Sequence, residues 1–350
     1  MMACRAGGSK RPPGRYDPQV SKQTRSTTTA SATASATVLA AGLLAGYAAD
    51  SILADPRKGH PVALFGQAAR KIEQACYADS RVRGVLYTAA CVGGSAALGV
   101  AVDRAIGRRR GLALAATATA AWTVIGARSL RREAEAIGDL LEQGDLPGAR
   151  ERLPRLCGRD ARGLSESALA RAVIESVAEN TSDAVVAPLF WGAVAGTPGL
   201  LAYRAANTLD AMVGHRNERY RNFGWASARL DDVLNLAPAR LTGLLTVAAA
   251  PTVGGLRQQT WQVLRHDARS HPSPNAGHCE ASAAGALGLR LGGTNVYGTQ
   301  VEERPQLGNG RSPRGFDIAR ANRLSKAVGT SAAILLAAGA VLGRRGLRRG

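Results

Sequence analysis

Three carboxylates recur at every fourth residue in Glu175-Ser176-Val177-Ala178-Glu179-Asn180-Thr181-Ser182-Asp183. On a helix that spacing stacks Glu175, Glu179 and Asp183 along one face. Like charges four residues apart destabilise a helix by about 0.2–0.5 kcal/mol per pair, so the stripe calls for a cation. The cation that fits is Mg2+, which takes one or two carboxylates and completes its shell with substrate phosphates. The plain alternative is a solvated helix face. Twenty uncharged residues follow, Ala184 to Tyr203, which sets the stripe at the edge of a membrane-length segment.

Three further clusters carry polar groups suited to chemistry. Asp50, Asp55 and His60 lie in an early loop. Asn207-Thr208-Leu209-Asp210 precedes His215-Arg216-Asn217-Glu218-Arg219-Tyr220-Arg221-Asn222-Phe223-Gly224, with Arg229, Asp231 and Asp232 downstream. Arginine is the side chain best shaped for bidentate recognition of phosphate or carboxylate. A juxtamembrane basic patch would be a plain run. Here Arg216, Arg219 and Arg221 alternate with acids and amides, and Asn207 and Asp210 share a helix face. The last cluster, Ser273-Pro274-Asn275-Ala276-Gly277-His278-Cys279-Glu280, has strong turn chemistry. Gly292, Gly293 and Gly298 beyond it permit close backbone approach to a ligand. A plain connecting loop is the alternative there. The histidines have no metal-ligand spacing. The chain contains no P-loop, no G-x-G-x-x-G after a strand and no G-x-S-x-G elbow.

Six uncharged runs must position these groups: Ser26 to Ala49, Gly84 to Val102, Gly111 to Ala127, Ala184 to Tyr203, Leu241 to Leu256 and Ala327 to Gly343. A bilayer core takes roughly 20 apolar residues per helix. Each run is rich in Ala and Gly and weak alone, but six together favour a polytopic, all-α membrane protein over a soluble helical one. The mean hydropathy of -0.08 reflects the charged loops between the runs. The second and third runs are expected to form a hairpin across the membrane. Residues 128 to 183 read as amphipathic helices broken at Gly144–Arg150 and Gly158–Gly163. Pro188, Gly192, Gly196, Pro198 and Gly199 make 184–203 a broken or re-entrant segment. The stretch from His271 to Gly315 is expected to hold at most a short helix. Residues 1–29 read as a disordered basic extension, 30–343 as one integral membrane domain and 344–350 as a basic tail. The first run is an uncleaved span, too long for a signal peptide.

Forty-five Lys and Arg against 26 Asp and Glu give a formal charge of +19. Nucleic-acid binding is argued against by placement, since the arginines cluster at the ends of apolar runs, as at Arg104 to Arg110, where anionic headgroups lie. Aromatics for base stacking make up 4% of the chain. Five scattered cysteines with no C-x-x-C imply neither a disulfide framework nor a zinc site. By the positive-inside rule, residues 104–110 and the tail are cytoplasmic, and alternation then sends 50–83 and 128–183 outside. Chemistry that uses a cytoplasmic nucleotide argues for the opposite orientation, and we give it the greater weight.

Taken together, Asp50-x4-Asp55-Pro56 with His60-Pro61, Glu175-Ser176-x2-Glu179-Asn180-Thr181-Ser182-Asp183, Asn207-Thr208-Leu209-Asp210, Asn217-Glu218-Arg219-Tyr220, Ala228-Arg229-Leu230-Asp231-Asp232 and Ser273-Pro274-Asn275-Ala276-Gly277 resemble the CobD/CbiB family, the adenosylcobinamide-phosphate synthases of cobalamin biosynthesis. The motifs fall in order over residues 46–298. His278 and Cys279 stand where the family usually has an aromatic residue and Pro, and Ala184 where it usually has Gly. The resemblance implies a multi-pass protein of the cell membrane whose polar loops form one active site. It implies an ATP-dependent amide bond between adenosylcobyric acid and (R)-1-amino-2-propanol or its O-phosphate. The corrinoid, the amine and the lipid bilayer would be its partners, with other membrane-bound late cobalamin-pathway enzymes beside it. Glu175, Glu179 and Asp183 would hold Mg2+ on the ATP phosphates. Asp210 or His60 would serve as general base. Asp50, Asp55, His60, Asn180, Asn207, Arg216, Asn217, Arg219, Arg229 and Asn275 would bind substrates. The spacing alone does not separate metal ligand from base. A small-solute or ion transporter is the competing reading, because carboxylates and broken helices also mark transport paths. The absence of an inverted repeat and the concentration of polar groups in loops count against it, and a membrane scaffold leaves the acid and amide clusters unexplained.

Overall fold

The small residues that weaken each apolar run as a span let helices approach closely, and packing in the computed structural model follows from this. It describes residues 18–53, 59–215, 217–297 and 300–346. Twelve α-helices account for most of them: α1 (Pro18–Leu53), α2 (Pro61–Cys76), α3 (Arg81–Ile106), α4 (Arg110–Val124), α5 (Ala127–Glu142), α6 (Leu146–Arg152), α7 (Glu166–Thr181), α8 (Ala187–Val213), α9 (Trp225–Ala249), α10 (Arg257–Asp267), α11 (Ala276–Leu287) and α12 (Asp317–Gly346). Five stretches are long and apolar enough to cross a membrane: Ser35–Leu53, Arg81–Ile106, Glu166–Val213, Trp225–Val253 and Asp317–Gly343.

The third apolar run, Gly111 to Ala127, falls short, so the second and third runs do not form the expected hairpin across the membrane. Its helix, α4, has 15 residues, about 22 Å at 1.5 Å per residue, against a hydrocarbon core of about 30 Å. Its close partner is α1, through a residue with no side chain. A Cβ on Gly46 would lie 2.4 Å from Ala121 Cβ and 2.7 Å from the Ala118 carbonyl oxygen. Only glycine admits that approach. Backbone from Pro18 onward continues α1, so residues 18–29 of the expected disordered extension are helical, while residues 1–17 lie outside the described residues. At the other end α12 runs through 344–346 of the basic tail, and 347–350 lie outside.

The expected break in the fourth run is present. After α7 the chain makes a π-helical turn, Ser182–Val186, then enters α8, which Gly196 interrupts at φ 67°, ψ -149°. Pro198 follows and cannot donate to a helix ladder. Beyond the interruption the chain doubles back. Gly199 lies against the Trp191 carbonyl and Gly192 against Leu200, and the Tyr203 hydroxyl is 3.1 Å from the Asp183 carbonyl oxygen. The segment is therefore a helix–break–helix rather than a straight span.

The loop-side helices begin where the sequence signals them. Asp145 accepts from the Gly148 N–H at 2.9 Å to cap α6, and Ser165 caps α7. The main core lies between α1, α5, α7 and α12, around Leu43, Ile137, Leu169, Ile174, Leu324 and Val328. A smaller one gathers Ala69, Tyr87, Leu209, Val213 and Phe223. One element was not expected. β1 (Leu291–Tyr297) and β2 (Gln300–Leu307) form an antiparallel hairpin with an irregularity between Leu291 and Gly293. Its two glycines and its Asn hide it from strand propensity.

Gly46→Leu should lower stability by about 1–3 kcal/mol through overpacking. Gly93→Ala, where a new Cβ meets nothing within 4 Å, should leave it unchanged. Thermal unfolding of the detergent-solubilised protein checks both.

Candidate active site

The carboxylate stripe of α7 does not meet at one point. Glu175 is buried and committed: one oxygen takes the Arg159 guanidinium at 2.7 Å and the other the Gly292 N–H at 2.8 Å. Arg171, one turn earlier, donates to the carbonyls of Gly292 and Thr294. Glu175 thus fastens the 156–164 loop and the β-hairpin to α7. Glu179 and Asp183 remain half-buried, and no hydrogen bond or ion pair among the described residues occupies their carboxylates. Asp183 opens the π-turn, a geometry that recurs at functional sites. Asn180 folds back on its own helix, donating to Ser176 O at 2.9 Å and lying 3.2 Å from Ser176 Oγ.

Three more elements bring acids and amides to the same place. Asp183 lies within electrostatic reach of Asp231, Glu179 and Asp210. From α8 come Arg204, Asn207 and Asp210; from α9 come Asp231, Asp232 and Asn235. The two amides orient Asp231: Asn207 donates to one oxygen at 3.3 Å and Asn235 to the other at 3.0 Å. Tyr203 stands 2.9 Å from Asn235 Oδ1. Asn275, at the start of α11, donates to the Asp232 carbonyl at 2.8 Å and ties the fourth motif to the third. Within α11, Glu280 is buried, 3.7 Å from Arg304 and 3.8 Å from His271. Burial pushes its carboxyl well above the usual range, and the nearby Glu175 and Glu179 push it the same way. Cys279 is raised chiefly by burial, with Asp183 and Glu179 adding to it.

Beside this cluster an open cleft of about 920 Å³ is lined by Arg81, Asn217, Arg221, Trp225, Arg229 and Asp232 among others. Asp210 lies at its edge, because its carbonyl accepts from the N–H of lining residue Gly214 at 2.7 Å. Arg229 is 3.6 Å from Asp232, and Asn217 caps the turn by accepting from Tyr220 N–H at 2.9 Å. Arg219 turns away from the cleft. It lies 3.2 Å from Glu73 of α2 and stacks 4.3 Å over Tyr77, and the Tyr220 hydroxyl donates to the same Glu73 oxygen at 2.9 Å.

The first motif stands apart from the cleft. Asp50 is buried and accepts from the Arg128 N–H at 3.2 Å, at the start of α5. His60 caps α2, its Nδ1 accepting from Val62 N–H at 3.2 Å. Asp55 and Arg216 lie outside the described residues. Among the described residues no three His, Cys, Asp or Glu side chains form a ready-made metal site. Sequence reasoning passed over Glu73, Arg159, Arg171 and Tyr203. For Glu73, Arg159 and Tyr203 the partners are 16 or more residues away, where no local spacing marks a pair; Arg171 stands four residues before Glu175, 3.9 Å from it, and that i,i+4 spacing could have found it. Asn235 could have been found, since it lies one turn after Asp231.

Comparison with known proteins covers most of the chain. The family model described as CobD/Cbib protein matches residues 43–325. A protein of Mycobacterium tuberculosis (strain ATCC 25618 / H37Rv) named cobalamin biosynthesis protein CobD is 51% identical over 286 residues, 82% of this chain and 91% of the relative. Relatives with the same name from Geobacter metallireducens and Rhodobacter capsulatus are 46% and 44% identical, each over 75% of this chain and over 85% and 84% of their own lengths. No solved structure matches significantly. With five stretches of membrane-spanning length and this likeness along most of its sequence, the chain is a multi-pass membrane protein of the CobD/CbiB family.

Proposed function

We propose that this protein acts in cobalamin biosynthesis as an adenosylcobinamide-phosphate synthase. It joins the propionate carboxylate of adenosylcobyric acid to the amine of (R)-1-amino-2-propanol or its O-phosphate, with ATP as co-substrate. The observation that carries the reading is the convergence of α7, α8, α9 and α11 on one group of acids and amides beside an Arg-lined cleft. The names of the relatives support the pathway.

A carboxylate is a poor acyl electrophile until a phosphoryl group activates it, so the site must handle anions first. Arg221 and Arg229 in the cleft suit phosphoryl oxygens. The remaining donor set fits Mg2+: no hydrogen bond or ion pair among the described residues holds the Glu179 and Asp183 carboxylates, which stand one turn apart, and Mg2+ needs only one or two from the protein. Glu175 is spent on Arg159 and so is assigned to anchoring. Bound there, Mg2+ would neutralise charge on the ATP phosphates. Of the two candidate bases, Asp210 borders the cleft and His60 caps a helix, which favours Asp210 for accepting a proton from the attacking amine. Asn207 and Asn235 fix the Asp231 carboxylate and with it the wall that orients the substrates.

Detergent-solubilised protein given ATP and Mg2+ should release phosphate only when cobyric acid and aminopropanol phosphate, or free aminopropanol, are both present. Chelation should abolish the release. Release without either organic substrate would refute the reading.

Two substitutions on one helix face should then separate. Glu179→Gln should cut turnover by on the order of 100-fold, as loss of a transition-state electrostatic group does, while thermal stability and cobyric acid binding hold. Glu175→Gln should instead cost roughly 3 kcal/mol of stability, because it removes the carboxylate paired at 2.7 Å with the buried Arg159 guanidinium. Near-normal turnover of Glu179→Gln at limiting Mg2+ would make that residue part of a solvated face.

A further inference from the structure

Helix α2 divides its surface three ways. Its inward edge carries Ala69 and Glu73, both buried, with Phe65, Gly66 and Cys76 half-buried. Gln67, Arg70, Lys71 and Gln74 form an exposed polar edge. A third edge is exposed and apolar: Leu64 (54% exposed), Ala68, Ile72 (42% exposed) and Ala75. At 3.6 residues per turn those four fall within a sector about 80° wide. A helix packed only on protein and facing water needs two edges. The third has no partner among the described residues.

The position of α2 identifies the occupant. It follows one candidate span, Ser35–Leu53, and precedes the next, Arg81–Ile106. It does not itself cross, since 16 residues with Arg70, Lys71 and Glu73 reach only about 24 Å. The end of α1 and the start of α3 therefore share one membrane face, and α2 lies along it. Its neighbours continue the apolar surface, with Ile52, Leu53, Val82 and Leu86 all exposed. The charges complete the match. Arg70 and Lys71, with Arg83 at the start of α3, are exposed, whereas the single acid of α2 points inward.

We infer that α2 is an interfacial helix that lays its Leu64–Ala68–Ile72–Ala75 edge into the acyl boundary of the bilayer and its Arg70–Lys71 edge onto anionic headgroups. Its inward edge holds the cleft loop through Glu73, which binds both Arg219 and Tyr220, and Gly66 faces Met212 of α8. The lipid contact thus fixes the height of the cleft loop above the bilayer.

The test uses the full chain with Cys4, Cys76 and Cys157 changed to Ser. The buried Cys91 and Cys279 stay in place. Single cysteines at 64, 67, 68, 71, 72 and 74 carry a nitroxide in nanodiscs of phosphatidylcholine with or without phosphatidylglycerol. Labels at 64, 68 and 72 should be several-fold more accessible to oxygen than to a water-soluble nickel chelate, and labels at 67, 71 and 74 the reverse. Phosphatidylglycerol should deepen the label at 72, and Arg70→Gln with Lys71→Gln should remove that shift. Equal nickel access at 64 and 67 would overturn the inference in favour of a water-exposed helix. Protection of 64 and 72 from both reagents would overturn it in favour of a protein partner. An unchanged depth with phosphatidylglycerol would exclude the anionic contact.

Discussion

The ion pair between Arg159 and Glu175 is the contact on which the placement of the other acids depends. Both side chains are buried, at 6% and 3% exposure, so each charge has lost its water and removing either costs the other its counter-charge at 2.7 Å. The second Glu175 oxygen takes a backbone N–H of the β-hairpin, and Arg171 holds two hairpin carbonyls. The α7 stem is thereby fixed at its middle. Glu179, one turn further, and Asp183, at the π-turn, then emerge where no hydrogen bond or ion pair among the described residues holds their carboxylates. A stripe that would repel itself on an isolated helix is tolerated because one member is neutralised by Arg159 and the others reach a half-open space.

Irregular backbone completes that space. The π-turn re-aims Asp183, and the Gly196 interruption sends α8 back so that Tyr203 reaches the Asp183 carbonyl. Each departure from the α-ladder frees backbone groups that bare lipid could not satisfy. Here the Asp183 carbonyl in the π-turn takes the Tyr203 hydroxyl, and the Gly196 break packs closely on Gly99 of α3 through Thr197 and Pro198, so both breaks are covered by protein. The α9 amide belongs to the same solution, since Asn235 links Tyr203 to Asp231 across two helices.

What could be read from the sequence was whatever acts over a few residues. The caps at Asp145 and Ser165, the break at 158–163 and the interruption among Pro188, Gly196 and Pro198 follow from local rules, whereas the break expected over 144–150 closes at Asp145, which caps α6. The acid and amide motifs were visible as clusters, and the structure brings three of the four together. The use of each charge was not visible. Nothing near Arg219 in the chain points to Glu73, 146 residues earlier, nor does the composition of 291–307 announce a hairpin that Arg171 and Glu175 hold from another element. The run at 111–127 shows a further limit. Lack of charge is a statement about burial, and α4 meets it by lying against α1, although it is too short to span.

The long-range pairs give the motifs a common logic. In three of them one charged residue is consumed by the fold and a near neighbour is not. In α7 Glu175 anchors, while no hydrogen bond or ion pair among the described residues holds the Glu179 carboxylate; in the cleft loop Arg219 binds Glu73 while Arg221, two residues on, lines the cleft. In α9 Asp231 is fixed by two amides and Asp232 borders the opening. In the first motif Asp50 ties α1 to α5 and His60 starts α2. A bundle of Ala- and Gly-rich helices has little apolar surface with which to specify the positions of its loops, so directional charged contacts do that work. Such contacts are strong only where water is excluded, and they must sit next to the reactive groups they position. The charged residues therefore come in clusters rather than singly, because those that hold the site and those that would act in it have to be neighbours.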